Sequence, residues 1–142
     1  GATDDKQSLT WLGVKLSHLH MDPRLAKMLL YACSFRCLRP LLGVASAREY
    51  RDAFVQDSRA DAVRQEMAAG LNSDQLLAAR VLDLFGKAEG RGQAHGWCEN
   101  NSLHAGKLKL MASLQGKLAD MLVQAGLVPG ATKGRGRGAQ YV

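Results

Sequence analysis

At 142 residues, 46% hydrophobic and a net charge of +6, the chain fits one domain or two small subdomains with a real apolar core. Aromatic residues make up only 6%, so that core must come from Leu, Ala, Val and Met, a mixture that favours helix over sheet. Three irregularly spaced cysteines argue against a disulfide framework and for a reducing compartment. No apolar run is long enough to span a membrane, and no signal peptide is visible.

Residues 1–7 are polar, and the first residue is Gly1 rather than Met, as expected of a processed product or of a piece cut from a longer chain. A helix is predicted over residues 9–19, with Ser8 or Thr10 as cap and Leu9, Leu12, Leu16 and Leu19 as its stripe. His18 and His20 follow, and Asp22-Pro23 opens the central helix as cap and first residue. That helix is apolar nearly all round from Met28 onward, which predicts a helix wrapped by others and broken at Arg39-Pro40. Arg24 and Lys27 lie near its start, where a cation opposes the helix dipole, so they call for an acidic or phosphate partner. A short apolar helix is expected over residues 41–47, then a loop over 48–58.

Asp57 or Ser58 caps a polar helix over residues 59–69, which Gly70 ends. Asn72-Ser-Asp74 caps the next helix, running from Leu76 to the Gly86–Gly90 region. Residues 95–102 read as irregular or as a single helical turn. The last helix carries a stripe of Leu108, Met111, Leu114, Leu118, Met121, Leu122 and Ala125, with Gly126 just past its end. Residues 130–142 are Gly/Arg-rich and expected to be disordered. They hold three cations, Lys133, Arg135 and Arg137, so the rest of the chain carries only +3 of the net charge. The fold class is therefore all-α.

The catalytic motifs are missing. There is no phosphate-cradling P-loop, no dinucleotide fingerprint after a strand, no nucleophile elbow and no zinc-protease helix motif. Cys33 with Cys37, and His95 with Cys98, have spacings that zinc can use, but buried apolar cysteines explain them as well. What remains is binding chemistry. Candidate anion contacts are Arg24, Lys27, Arg36, Arg39, Lys107, Lys109, the free helix N–H groups at residues 72–75, and the basic tail. A helical protein-interaction module with no nucleic-acid contact is the alternative.

Several stretches together carry a resemblance. Leu9-Thr-Trp-Leu-Gly, then Leu16-Ser-His-Leu-His-Met-Asp-Pro-Arg-Leu-Ala-Lys-Met-Leu, strongly resembles the segment that follows the motor core in DEAH/RHA-type ATP-dependent RNA helicases. Cys37-Leu-Arg-Pro40 parallels the family's Cys-Leu-Asp-Pro, and Ser73-Asp-Gln-Leu76 its Ser-Asp-His-Leu. Trp97-Cys-Glu-Asn100 and Leu122-Val-Gln-Ala-Gly-Leu-Val128 parallel the start and end of the last helix. The resemblance spans residues 9–128, and the Cys-Glu detail is similar to the RNA helicase A branch. His20, Ala26, Arg39 and Gln75 stand where the family usually has Pro, Gly, Asp and His, and residues 47–55 match its Arg-x-Pro-Phe loop only loosely.

The resemblance implies a degenerate winged-helix subdomain over residues 1–50, a helical-bundle ratchet domain over 51–129 and a tail over 130–142. It implies a non-catalytic segment lining a single-stranded RNA channel. Arg24 and Lys27 would dock on the motor domains. Ser73, Asp74, Gln75, Asn100, Asn101, Lys107, Arg135 and Arg137 are the implied nucleic-acid contacts. Hydrolysis, ATP and magnesium would belong to the motor domains. The implied partners are single-stranded RNA, those motor domains and protein activators, with no membrane, in the nucleus or cytoplasm.

Overall fold

The computed structural model describes residues 3–5, 8–17, 19, 21–50 and 52–128. Among them the chain is all-helical: α1 (Trp11–Ser17), α2 (Pro23–Ser34), α3 (Leu38–Glu49), α4 (Ala60–Met67), α5 (Asp74–Gly90), α6 (Ala94–Asn100) and α7 (Ala105–Gln124). The β-structure among these residues is two isolated antiparallel bridges, Thr3 with Leu9 and Phe54 with Leu103. Among the described residues no helix is long and apolar enough to cross a membrane. His18, His20 and the Gly/Arg tail, including Arg135 and Arg137, lie outside the described residues.

Local chemistry sets the helix ends. Thr10 Oγ1 accepts the Gly13 N–H at 3.1 Å and so starts α1. Asp22 Oδ1 accepts the N–H groups of Arg24 at 2.7 Å and Leu25 at 3.4 Å, with Pro23 in the first helical position. The predicted break at Arg39-Pro40 is wrong. α2 stops at Ser34, where the Cys37 N–H reaches the Ala32 carbonyl at 2.9 Å and the Arg36 N–H reaches that of Cys33 at 3.3 Å. This crossed pair closes a helix when the intervening residue turns left-handed. Arg36 does so at φ 55°, in a place glycine usually takes, so the sequence carries no obvious stop signal. Pro40 then sits in the first turn of α3, where its missing N–H has no intrahelical acceptor to lose. α3 accordingly starts before residue 41 and runs beyond residue 47.

Nor is α2 wrapped all round. Ala26, Leu29 and Ala32 are buried, but Tyr31 and, just past the helix end, Phe35 are 54% and 75% exposed. Residues 94–100 form a full helix rather than a single turn. Gly126, at φ 68°, closes α7 in the expected way, with the Leu127 N–H on the Leu122 carbonyl at 3.0 Å.

The helices enclose two apolar cores. The first joins α2, α3 and the C-terminal half of α7 through Ala26, Leu29, Ala32, Leu42, Ala119 and Leu122. The second joins α5, α6 and the N-terminal half of α7 through Leu77, Val81, Phe85, Cys98, Leu108 and Met111. α3 packs against α5 as well as α2 and α7. At Gly43 a Cβ would lie 3.0 Å from Ala79 Cβ and 3.1 Å from Ala79 Cα, so glycine is what allows α3 and α5 to approach this closely.

Candidate nucleic-acid interface

The segment after α3 is held as a strap. The Val55 N–H donates to the Ser102 carbonyl at 2.8 Å, and the His104 N–H to that of Ala53 at 2.8 Å. Phe54 is thereby buried beneath Arg64, whose guanidinium carbon lies 4.8 Å from the ring centroid. Arg64 also pairs with the Asp52 carboxylate, and Lys107 Nζ donates to the Asp52 carbonyl at 3.0 Å. Asp57 sits at the far end of the strap. Its Oδ1 accepts the Arg59 N–H at 2.9 Å.

Beside the strap opens a cleft of about 460 Å³. Leu77, Ala78, Val81 and Met111 give it an apolar floor; Arg48, Tyr50, Asp74 and Gln75 stand at its polar edge. Of the sequence-predicted residues, Asp74 and Gln75 therefore line one cleft, and Lys107 is tied to its wall through Asp52. Ser73 is the cap of α5, its Oγ accepting the Leu76 N–H at 3.4 Å. Asn100 and Asn101 end α6 and do not line the cleft; the Asn101 amide is spent on the Trp97 carbonyl at 2.7 Å. Arg48, Tyr50, Asp52 and Arg64 were missed. Their only signal was the loose family-loop match over residues 47–55, which does not reach Arg64.

Arg24 and Lys27 lie elsewhere, on the outer face of α2. That face continues through Tyr31 to Phe35 at helical spacing. Lys27 Nζ lies 5.8 Å from the Tyr31 ring centroid, and the Tyr31 and Phe35 rings are 6.4 Å apart. Among the described residues the Arg24 guanidinium has no ion pair or hydrogen bond. Arg39, a candidate anion contact, is engaged: it pairs with Asp83 at 2.7 Å, and Lys87 reaches the same carboxylate at 2.8 Å. Partial burial pushes the Asp83 pKa up, but the Lys87 hydrogen bond and the Arg39 charge outweigh it and leave the pKa below 3.8. Burial pushes the Cys33 and Cys98 thiols up, away from the thiolate that binds zinc. Among the described residues no three potential metal ligands converge.

The family model described as helicase associated domain (HA2), ratchet-like, matches residues 22–97, more than half of the chain. The chain belongs to this helicase-associated, ratchet-like family. It is 33% identical over 133 residues to the ATP-dependent DNA/RNA helicase DHX36 of Bos taurus, covering 89% of this chain and 13% of that protein. It is 30% identical over 137 residues to the DExH-box ATP-dependent RNA helicase DExH6 of Arabidopsis thaliana, covering 91% and 10%. With human ATP-dependent RNA helicase DHX30 the identity is 32% over 135 residues, covering 90% and 11%. The chain thus spans only about an eighth of the first relatives' length. The match begins at the Asp22 cap and takes in the outer face of α2 and every lining residue of the cleft except Met111.

Proposed function

We propose that this helicase-associated segment serves a DEAH/RHA-type ATP-dependent RNA helicase without catalysing a reaction itself. It walls the path of single-stranded RNA and docks on the motor domains, which hold ATP and magnesium. Residues 1–50 act as the degenerate winged helix, 51–129 as the ratchet domain and 130–142 as a basic tail, inside the nucleus or cytoplasm. The observation that carries this reading is the outer face of α2. Tyr31 and Phe35 stay exposed beside Arg24 and Lys27, although α2 buries its other face fully. Aromatic and basic groups together are what interface centres use, and an exposed aromatic pair is costly without a covering partner. The strand runs past residues 73–75, with Asn100, Arg135 and Arg137 as further contacts; Asn101 and Lys107, engaged with the Trp97 and Asp52 carbonyls, shape the wall instead.

Two measurements test the two halves. Ultraviolet crosslinking of the full chain to single-stranded RNA is expected to give adducts at residues 73–75 and near Asn100. Adducts confined to residues 130–142, or none, overturn the RNA half and leave a protein-interaction module, which the aromatic face of α2 by itself would favour. For docking, a motor fragment of such a helicase is supplied in trans. Combined Tyr31→Ala and Phe35→Ala should weaken association about tenfold or more, equivalent to about 1.4 kcal/mol, with the thermal midpoint unchanged. Undiminished association ends the docking half.

A further inference from the structure

The charges around the cleft fall into two sets. Asp52, Arg64 and Lys107 are bound to one another or to backbone and hold the strap in place. Arg48, Asp74 and Gln75 line the same cleft, yet among the described residues their side chains make no hydrogen bond or ion pair. The first set belongs to the fold; the second is what an incoming molecule meets. That molecule needs a flat apolar body for the floor, a hydrogen-bonding edge for adjacent Asp74 and Gln75, and a negative charge for Arg48. A cleft of about 460 Å³ lies in the roughly 300–1,000 Å³ range of small-molecule sites.

We propose that this cleft takes one guanine nucleotide. The base lies on the floor beside the half-buried Tyr50 ring, and Arg48 meets the phosphate. Asp74 accepts from the N1–H and N2–H of the base, while the Gln75 amide donates to O6. The choice of base follows from donor and acceptor order. A carboxylate offers only acceptors, and guanine alone presents two adjacent N–H donors on its Watson–Crick edge. Adenine and cytosine each turn a ring-nitrogen lone pair toward it, and uracil has one N–H between two carbonyls. Where the nucleotide is part of a strand, the inference rests on the RNA reading above and gives it a base preference. A free nucleotide would use the same contacts.

The test uses the full chain and labelled oligouridine strands of one length with a single central guanosine, inosine or adenosine. All carry the same number of phosphates, so the nonspecific charge term cancels. Fluorescence anisotropy should show the guanosine strand bound about tenfold tighter than the adenosine strand, with inosine, which lacks the N2 amino group, in between. Asp74→Asn should erase the guanosine-over-adenosine ratio. GMP should compete and should move the backbone amide NMR signals of Arg48 and Gln75, and Arg48→Gln should narrow the gap between GMP and guanosine. Strands that bind with equal affinity whatever the central base, with GMP moving neither amide, overturn the guanine site and leave the RNA reading standing. GMP binding without strand binding keeps the site and overturns the RNA reading. Binding of neither overturns both.

Discussion

The two apolar cores are built from different residues, and their outer surfaces are finished differently. The first, around α2, α3 and the end of α7, is rich in alanine: Ala26, Ala32, Ala45 and Ala119 are buried among leucines. The second, around α5, α6 and the start of α7, uses Phe54, Phe85, Cys98 and Met111. Small residues let helices approach closely but remove little apolar area from water per residue. The first core correspondingly leaves Tyr31 and Phe35 outside, and no ion pair among the described residues involves α2. Around the second, Arg64 pairs with Asp52, and Arg39 and Lys87 share Asp83. The second core's helices leave Leu76 and Leu110 partly exposed, at 42% and 53%, but the exposed aromatic pair Tyr31 and Phe35 belongs to the first, which presents the surface that a partner would cover.

The strongest test of this contrast compares core truncations. Phe85 is 0% exposed, and Phe85→Ala should cost about 3–5 kcal/mol in urea unfolding. Leu29→Ala in the first core belongs to the class costing about 2–5 kcal/mol and should fall toward its lower end, because alanine neighbours leave room for the site to collapse. A larger loss at Leu29 than at Phe85 would break the comparison.

The helix shared by both cores gives the next effect. Gly43→Ala puts a methyl group 3.0 Å from Ala79 Cβ and 3.1 Å from its backbone, so α3 must move off α5. Overpacking of this kind costs about 1–3 kcal/mol. Ala79→Gly makes room, so the double variant should be more stable than the two single losses predict, by about 0.5 kcal/mol or more. Strict additivity would mean that the contact at Gly43 does not join the two halves.

Most helices were readable because caps and stripes agreed. Asp22-Pro23, Ser73 and Gly126 each act as their residue types predict. The errors lie where tertiary context decides. Nothing in the residues around Arg36 announces a left-handed turn, so an uninterrupted apolar run reads as one helix. The burial of α2 was overread for a related reason: apolar content counts residues, while burial depends on which face finds a neighbour. The α5 side of the cleft was visible through the Ser-Asp-Gln resemblance. Its other wall was not, because Arg64 reaches Phe54 and Asp52 across a loop whose path no local pattern specifies.

The smallest expected effect concerns the latch between α3 and the second core. The Asp83 side chain is 36% exposed, and its partners Arg39 and Lys87 more so, at 54% and 59%. Solvent screens such pairs, so Asp83→Asn should cost less than about 1 kcal/mol at neutral pH. Because Lys87 and Arg39 hold its pKa below the ordinary 3.8, the folded chain binds fewer protons at this site than the unfolded chain near that pH. The stabilisation is therefore complete above 3.8 and fades as pH falls through the lower folded value. Urea unfolding of wild type and Asp83→Asn should show a small difference at pH 7 that closes in acid, and that also narrows in 1 M salt, where the Debye length is about 3 Å. A difference that survives both acid and salt would come from packing at the α3–α5 contact rather than from charge.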